Sequence, residues 1–125
     1  MKLMGRFVVA VLLLQAMLVM PMAQAGTLKK GAPFVQSRAQ LIKDGWRPVN
    51  VHAGEDYEYI GTETALAEAK IYEVESCAVD RALCIFNYQR GKRCLRVVTS
   101  GEELPAMSIE SWTSRCPALR SPDDK

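Results

Sequence analysis

Histidine is almost missing from this chain: of 125 residues, His52 is the only one. That removes the histidine-rich ligand sets of zinc sites, and it makes any Ser–His–Asp arrangement depend on a single loop residue. Cysteine occurs four times but never as Cys-x-x-Cys, so zinc ribbons and thioredoxin-type redox centres lack their spacing. Gly-x-Gly-x-x-Gly, Walker and Gly-x-Ser-x-Gly patterns are also absent. Nucleotide cofactors and esterase-type nucleophiles therefore have no sequence support, and no cofactor or metal is expected. Asn50 and Asn87 both lack the x-Ser/Thr of a glycosylation acceptor.

Long apolar runs are missing too. A membrane-crossing helix takes roughly 20 residues, and Phe7 to Met20 supplies 14, interrupted by Gln15. The run follows two basic residues, Lys2 and Arg6, and precedes Pro21 and the small-x-small triplet Ala23-Gln24-Ala25. That order predicts a cleavable secretory signal over residues 1–25, with Gly26 as the mature N-terminus. The first cysteine is Cys77, so no lipid-modified cysteine is expected at the cleavage point. The expected product is exported, periplasmic or secreted, with no membrane span.

Net charge vanishes with the signal. Lys+Arg falls from 16 to 14 against 14 acids, so a basic precursor is no argument for a nucleic-acid partner. The charges are nonetheless segregated. Residues 55–75 hold seven acids and one base; residues 81–96 hold five bases and no acid. Such segments either pair within the fold or present a surface to a charged partner.

What is present is an even set of cysteines behind an export signal: Cys77, Cys84, Cys94 and Cys116. Two disulfides are expected. Six residues join Cys77 to Cys84, which places them face to face at the base of a wide turn and leaves Cys94 with Cys116.

Residues 26–125 read as one small α+β domain, with a flexible lead-in and a polar tail from Pro117. Pro33 fits the first turn of a helix that buries Phe34, Leu41 and Ile42. Asp44-Gly45 ends it, with Trp46 folding back on Leu41. Val49 and Val51 alternate as a short extended segment. Thr62 is the expected N-cap of a second short helix, with Leu66 and Ala69 inward. Strands are expected at Ile71–Ser76, Leu83–Tyr88, Arg93–Thr99 and Met107–Thr113, a meander with the first helix on one face. With Arg90-Gly91 as a two-residue turn, Phe86 falls opposite Leu95 and Cys84 opposite Val97. Cys84, Phe86, Tyr88, Leu95 and Val97 then form the core side.

Candidate partner-binding residues are Arg90, Lys92 and Arg93 at the hairpin turn, and Glu55, Asp56 and Tyr57 in the acidic loop. Trp46 and Trp112 read as core side chains that can anchor an interface where exposed. His52 reads as a solvated loop residue. The expected function is non-enzymatic: a small binding protein of a bacterial envelope, acting on another envelope or secreted protein as an inhibitor, immunity factor or assembly component. Two rivals stand beside it: a small hydrolase using the Glu55–Glu58 acids, and a binder of anionic envelope polymer through the Arg90–Arg93 hairpin.

Overall fold

The computed structural model describes residues 28–117, so the expected signal segment over residues 1–25 and the tail beyond Pro117 lie outside the described residues. Phe34–Lys43 forms α1, with Pro33 one position ahead of it as N-cap. Phe34 and Leu41 are buried, whereas Ile42, one step further round the helix, is exposed rather than inward. Asp44 ends the helix and Gly45 follows at φ 92°. The Gly45 N–H donates to the Ile42 carbonyl at 3.1 Å and the Trp46 N–H to that of Leu41 at 3.0 Å. These are the two bonds of a Schellman cap. A Cβ added at Gly45 would meet only Arg90 Cδ, at an ordinary 3.6 Å. The cost of Gly45→Val therefore comes from the left-handed backbone, which a β-branched residue resists. We expect a loss of more than about 1 kcal/mol, read as a lower denaturant midpoint at unchanged slope. An unchanged midpoint would mean that the cap contributes nothing.

The remaining elements are β1 (Arg47–Pro48), α2 (Thr62–Glu68), β2 (Val74–Cys77), β3 (Leu83–Arg90), β4 (Arg93–Ser100) and β5 (Ser108–Thr113), with a short 3-10 turn at Leu104–Ala106. The strands form one antiparallel sheet. β3 is central, with β4 and then β5 on one side and both β1 and β2 pairing along the other. This is the expected α+β architecture: two short helices on an antiparallel sheet.

The differences are local. The turn between β3 and β4 is Gly91-Lys92, since Arg90 faces Arg93 and Gly91 has φ 59°. Glycine at the first central position is what a type II′ hairpin turn takes. Phe86 consequently faces Val97, and Cys84 faces Thr99, two places from the expected register. Side chains alternate with period two, so the shift leaves the core face intact. Cys84, Phe86, Tyr88, Leu95 and Val97 are all buried on it. Gly61, at φ 57°, rather than Thr62 caps α2, and Ala69 is exposed while Leu66 is fully buried. β1 pairs through Arg47 and Pro48, and Val49 only donates its N–H to Asn87.

α1 covers the apolar face, with the Phe34 and Phe86 rings 4.2 Å apart. Glu73 lies beneath it, 1 % exposed, and its carboxylate accepts from Arg38 and, at 3.2 Å, from the Tyr88 hydroxyl. Burial alone would lower the Arg38 pKa; the bond to Glu73 and the charge of Glu73 outweigh it and hold the guanidinium above its ordinary value. Burial, then the Glu73 charge, push the Tyr88 hydroxyl well up. The opposite face is polar. Arg96 grips both Glu75 oxygens at 3.0 Å, and Asn87 donates to one of them at 3.1 Å. Both disulfides have the expected pairing, Cys77–Cys84 and Cys94–Cys116.

Candidate functional site

The β3–β4 hairpin carries its bases to one end of the sheet. Lys92 and Arg93 are exposed there, because a two-residue turn offers nothing for them to pack against. Arg90 behaves differently. Its guanidinium lies 4.7 Å from the centre of the Trp46 ring, and its Nη1 donates to the Asp44 carbonyl at 3.2 Å. Arg90 thus secures the end of α1 to the hairpin. It is a structural residue of the site, half-buried, where the sequence alone reads a solvated turn.

The Schellman cap sets the position of Trp46. It turns the chain back sharply enough to lay the indole, 4 % exposed, under Arg90. Trp112 comes from β5, opposite Val97 in register, and is 38 % exposed. Between them lies a groove of about 750 Å³, lined by Trp46, Lys92, Arg93, Leu95, Trp112 and Ser114. The Cys94–Cys116 bond ties the end of β5's exit to β4 beside it. Lys92 and Arg93 make no ion pair among the described residues, and neither do Arg47 and Arg115. A groove of this kind attracts carboxylate or phosphate and offers indole surface for apolar contact.

The acidic loop is built otherwise. Asp56 and Glu58 are exposed. Tyr57 stacks on His52, ring centres 3.5 Å apart and nearly parallel, and its hydroxyl donates to Glu63 at 2.6 Å. That bond, then burial and the Glu63 charge, push the Tyr57 hydroxyl up to about 12. Glu63 also accepts the Cys77 N–H at 3.3 Å, so the loop is fastened to β2. His52 is not a free loop side chain. Its Nε2 lies 2.6 Å from the Glu75 carbonyl, an acceptor, so Nε2 carries the proton. Nδ1 faces Glu55 at 3.6 Å. Tyr59 and Tyr72 join this group around a cleft of about 320 Å³. The fold thus brings Glu55 and Tyr57 together through His52, while Asp56 does not line the cleft.

Glu75 links this cluster to the sheet. Burial alone would raise its carboxyl, but the bonds from Arg96 and Asn87 and the Arg96 charge hold it below the usual carboxylate range. The two central ion pairs, Arg38–Glu73 and Arg96–Glu75, join bases to the acid-rich segment within the fold. Among the described residues they leave Lys92 and Arg93 without a carboxylate partner. Among the described residues no group of three or more His, Cys, Asp or Glu side chains could hold a metal ion. No helix among them is long and apolar enough to cross a membrane. Comparison with protein-family models, characterised proteins and solved structures finds no match to this chain.

Proposed function

We propose that the domain is a small exported binding protein that holds an acidic segment of a protein partner in the groove at the hairpin end. One observation carries the reading: among the described residues Lys92 and Arg93 stand without carboxylate partners, beside the exposed ring of Trp112. Unmatched charges of one sign accelerate encounter with the opposite sign, and a tryptophan at a groove wall is the side chain that most often anchors a protein interface. Two disulfides suit an oxidising compartment outside the cytosol. The exposed Trp112 indole favours a protein occupant over a bare polyanion, which needs charge alone.

The test is a double charge reversal, Lys92→Glu with Arg93→Glu, leaving Arg90 in place because it holds α1. Both sites are exposed, so stability should change by less than about 0.5 kcal/mol for each. The probe is a synthetic Asp/Glu-rich peptide containing leucine. Association at low salt should slow by more than about tenfold, and the difference should shrink as salt screens it. Trp112→Ala should raise the dissociation rate instead. A folded double variant with wild-type association would overturn the reading. Polyphosphate binding that is indifferent to Trp112→Ala would transfer the groove to an anionic polymer.

A further inference from the structure

The cleft beside His52 is separate from the tryptophan groove, and the two share no lining residue. His52, Tyr57, Tyr59 and Tyr72 all line it. Local structure sets each ring. Asn50 Oδ1 accepts the His52 N–H at 2.9 Å, and the Glu55 N–H donates to the His52 carbonyl at 2.9 Å, so the loop closes on itself. With Nε2 of His52 bonded to the Glu75 carbonyl and the Tyr57 hydroxyl to Glu63, both rings of the stack are fixed. The Thr64 hydroxyl donates to the Tyr59 carbonyl at 3.1 Å. The end of α2 delivers Tyr72. Lys70 sits there at φ 59°, the only non-glycine residue of positive φ among the described residues. The Lys70 N–H donates to the Ala67 carbonyl at 3.0 Å and the Ile71 N–H to that of Leu66 at 2.9 Å. This cap turns Ile71 into the core and leaves Tyr72 outside, 44 % exposed.

The rings are not a single stack. Tyr59 lies 5.1 Å from Tyr57 and 6.3 Å from His52, at 77° and 84° to them. Because His52 and Tyr57 lie face to face at 3.5 Å, those two distances put Tyr59 beside the edge of Tyr57 and not over the stack. Tyr72 stands 6.3 Å from Tyr59, tilted by 52°. Ring planes at steep angles present π-faces to one space from more than one side, and the face of an aromatic ring attracts a cation. The charges agree. Glu55 lines the cleft and no Lys or Arg does. With the proton of His52 on Nε2, Nδ1 and the Glu55 carboxylate are both acceptors, 3.6 Å apart, so this wall repels anions. Asp56 and Glu58, next in the chain, are exposed. At about 320 Å³ the cleft is at the small end of ligand sites. A quaternary ammonium suits such walls better than a primary one, because its charge is spread over methyl groups that need no hydrogen-bond acceptor.

We propose that this cleft binds a quaternary ammonium group, its methyl groups against the faces of Tyr59 and Tyr72 and its charge beside Glu55. The walls are ordered before the ligand arrives, which lowers the cost of binding. The site does not depend on the groove at the hairpin end, whose charges have the opposite sign.

The experiment titrates choline into the oxidised protein and follows the choline methyl resonance by proton NMR. A methyl group over an aromatic face moves upfield, so one measurement reads both affinity and position. The expected result is a saturable upfield shift in the millimolar range or below. The neutral isostere of choline, with carbon in place of nitrogen, should bind at least tenfold more weakly. Tyr72→Leu should weaken choline at least fivefold and Tyr72→Phe less than twofold, because the phenyl ring keeps the face. Glu55→Gln should weaken it at least twofold, by an amount that shrinks as salt is added. Denaturant midpoints matching the parent chain show that the variants fold, and the comparison of choline with its isostere decides even where one does not. Vesicles of phosphatidylcholine, set against vesicles of phosphatidylglycerol, separate the two sources of the group. Selective co-sedimentation with the former assigns the site to a lipid headgroup, and choline binding without it assigns the site to a free solute; both sustain the proposal. No saturable shift, equal binding of the neutral isostere, or unchanged affinity in a folded Tyr72→Leu variant would overturn it.

Discussion

Reducing both disulfides is expected to remove cooperative folding at physiological temperature. The bonds close segments with sequence separations of 7 and 22. Chain-entropy bookkeeping assigns them about 2.4 and about 3.4 kcal/mol. Together they approach about 6 kcal/mol, against a total of about 5–15 kcal/mol for a domain of this kind. The two contributions should be separable. Replacing Cys94 and Cys116 by Ala should cost about 1 kcal/mol more than replacing Cys77 and Cys84 by Ala, provided that Cys84, buried in the core, tolerates the smaller side chain. Urea titrations of the two double variants and of the reduced parent chain measure all three. Equal midpoints for the parent and the Cys94/Cys116 variant would show that loop closure at the hairpin end contributes nothing.

The second large effect is expected at Arg38. Arg38→Met removes the guanidinium from a Glu73 carboxylate that has 1 % of its surface in contact with solvent. Tyr88 still donates one hydrogen bond, but a neutral hydroxyl does not replace a cation. Breaking one side of a buried pair typically costs about 3–5 kcal/mol. Adding Glu73→Leu should restore much of the loss, since replacing both members with apolar groups is often near neutral. The comparison of single and double variants by chemical denaturation decides the matter. If Arg38→Met alone leaves the midpoint within experimental error, the pair is not a support of the fold. Arg96→Met should cost less, because the Arg96–Glu75 pair is partly open to water, with side chains 32 % and 22 % exposed.

These two cases also show what could be read from the sequence and what could not. The end of α1 was legible because all of its parts lie within six residues: Asp44-Gly45 supplies the cap and Trp46 the fold-back. The disulfide pairing was legible for a similar reason, the short span from Cys77 to Cys84. The hairpin register was not, because Gly91 suits either central position of a two-residue turn. The error was two residues, and an even shift keeps every side chain on its side of the sheet. Arg38 and Glu73 are 35 positions apart, and nothing local marks them as partners. The same holds for the contact of Nε2 of His52 with the Glu75 carbonyl, 23 positions away. For the candidate groove, Lys92 and Arg93 were evident as a basic turn and the two tryptophans as possible anchors. Their meeting depends on α1 ending over the hairpin and on β5 lying beside β4.

The eight-pair β3–β4 hairpin bears on how the chain acquires its covalent form. A hairpin closed by two residues zips in roughly 1–10 μs, far ahead of the seconds to hours that thiol oxidation takes. Once it is zipped, Cys84 lies opposite Thr99 and Cys94 opposite Gln89. Paired residues share a face and side chains alternate along each strand; Thr99 is on the face of Cys84, and Cys94, five places before Thr99 in β4, points to the other, so these two thiols are separated by the sheet itself. The nearest competing bond in the sequence, Cys84 with Cys94, is thereby blocked before an oxidant can act. Cys84 is left on the helix-covered side to await Cys77, and Cys94 on the other to await Cys116. The hairpin thus acts as a sorting step in oxidative folding, and sequences that slow its closure would enrich mispaired isomers.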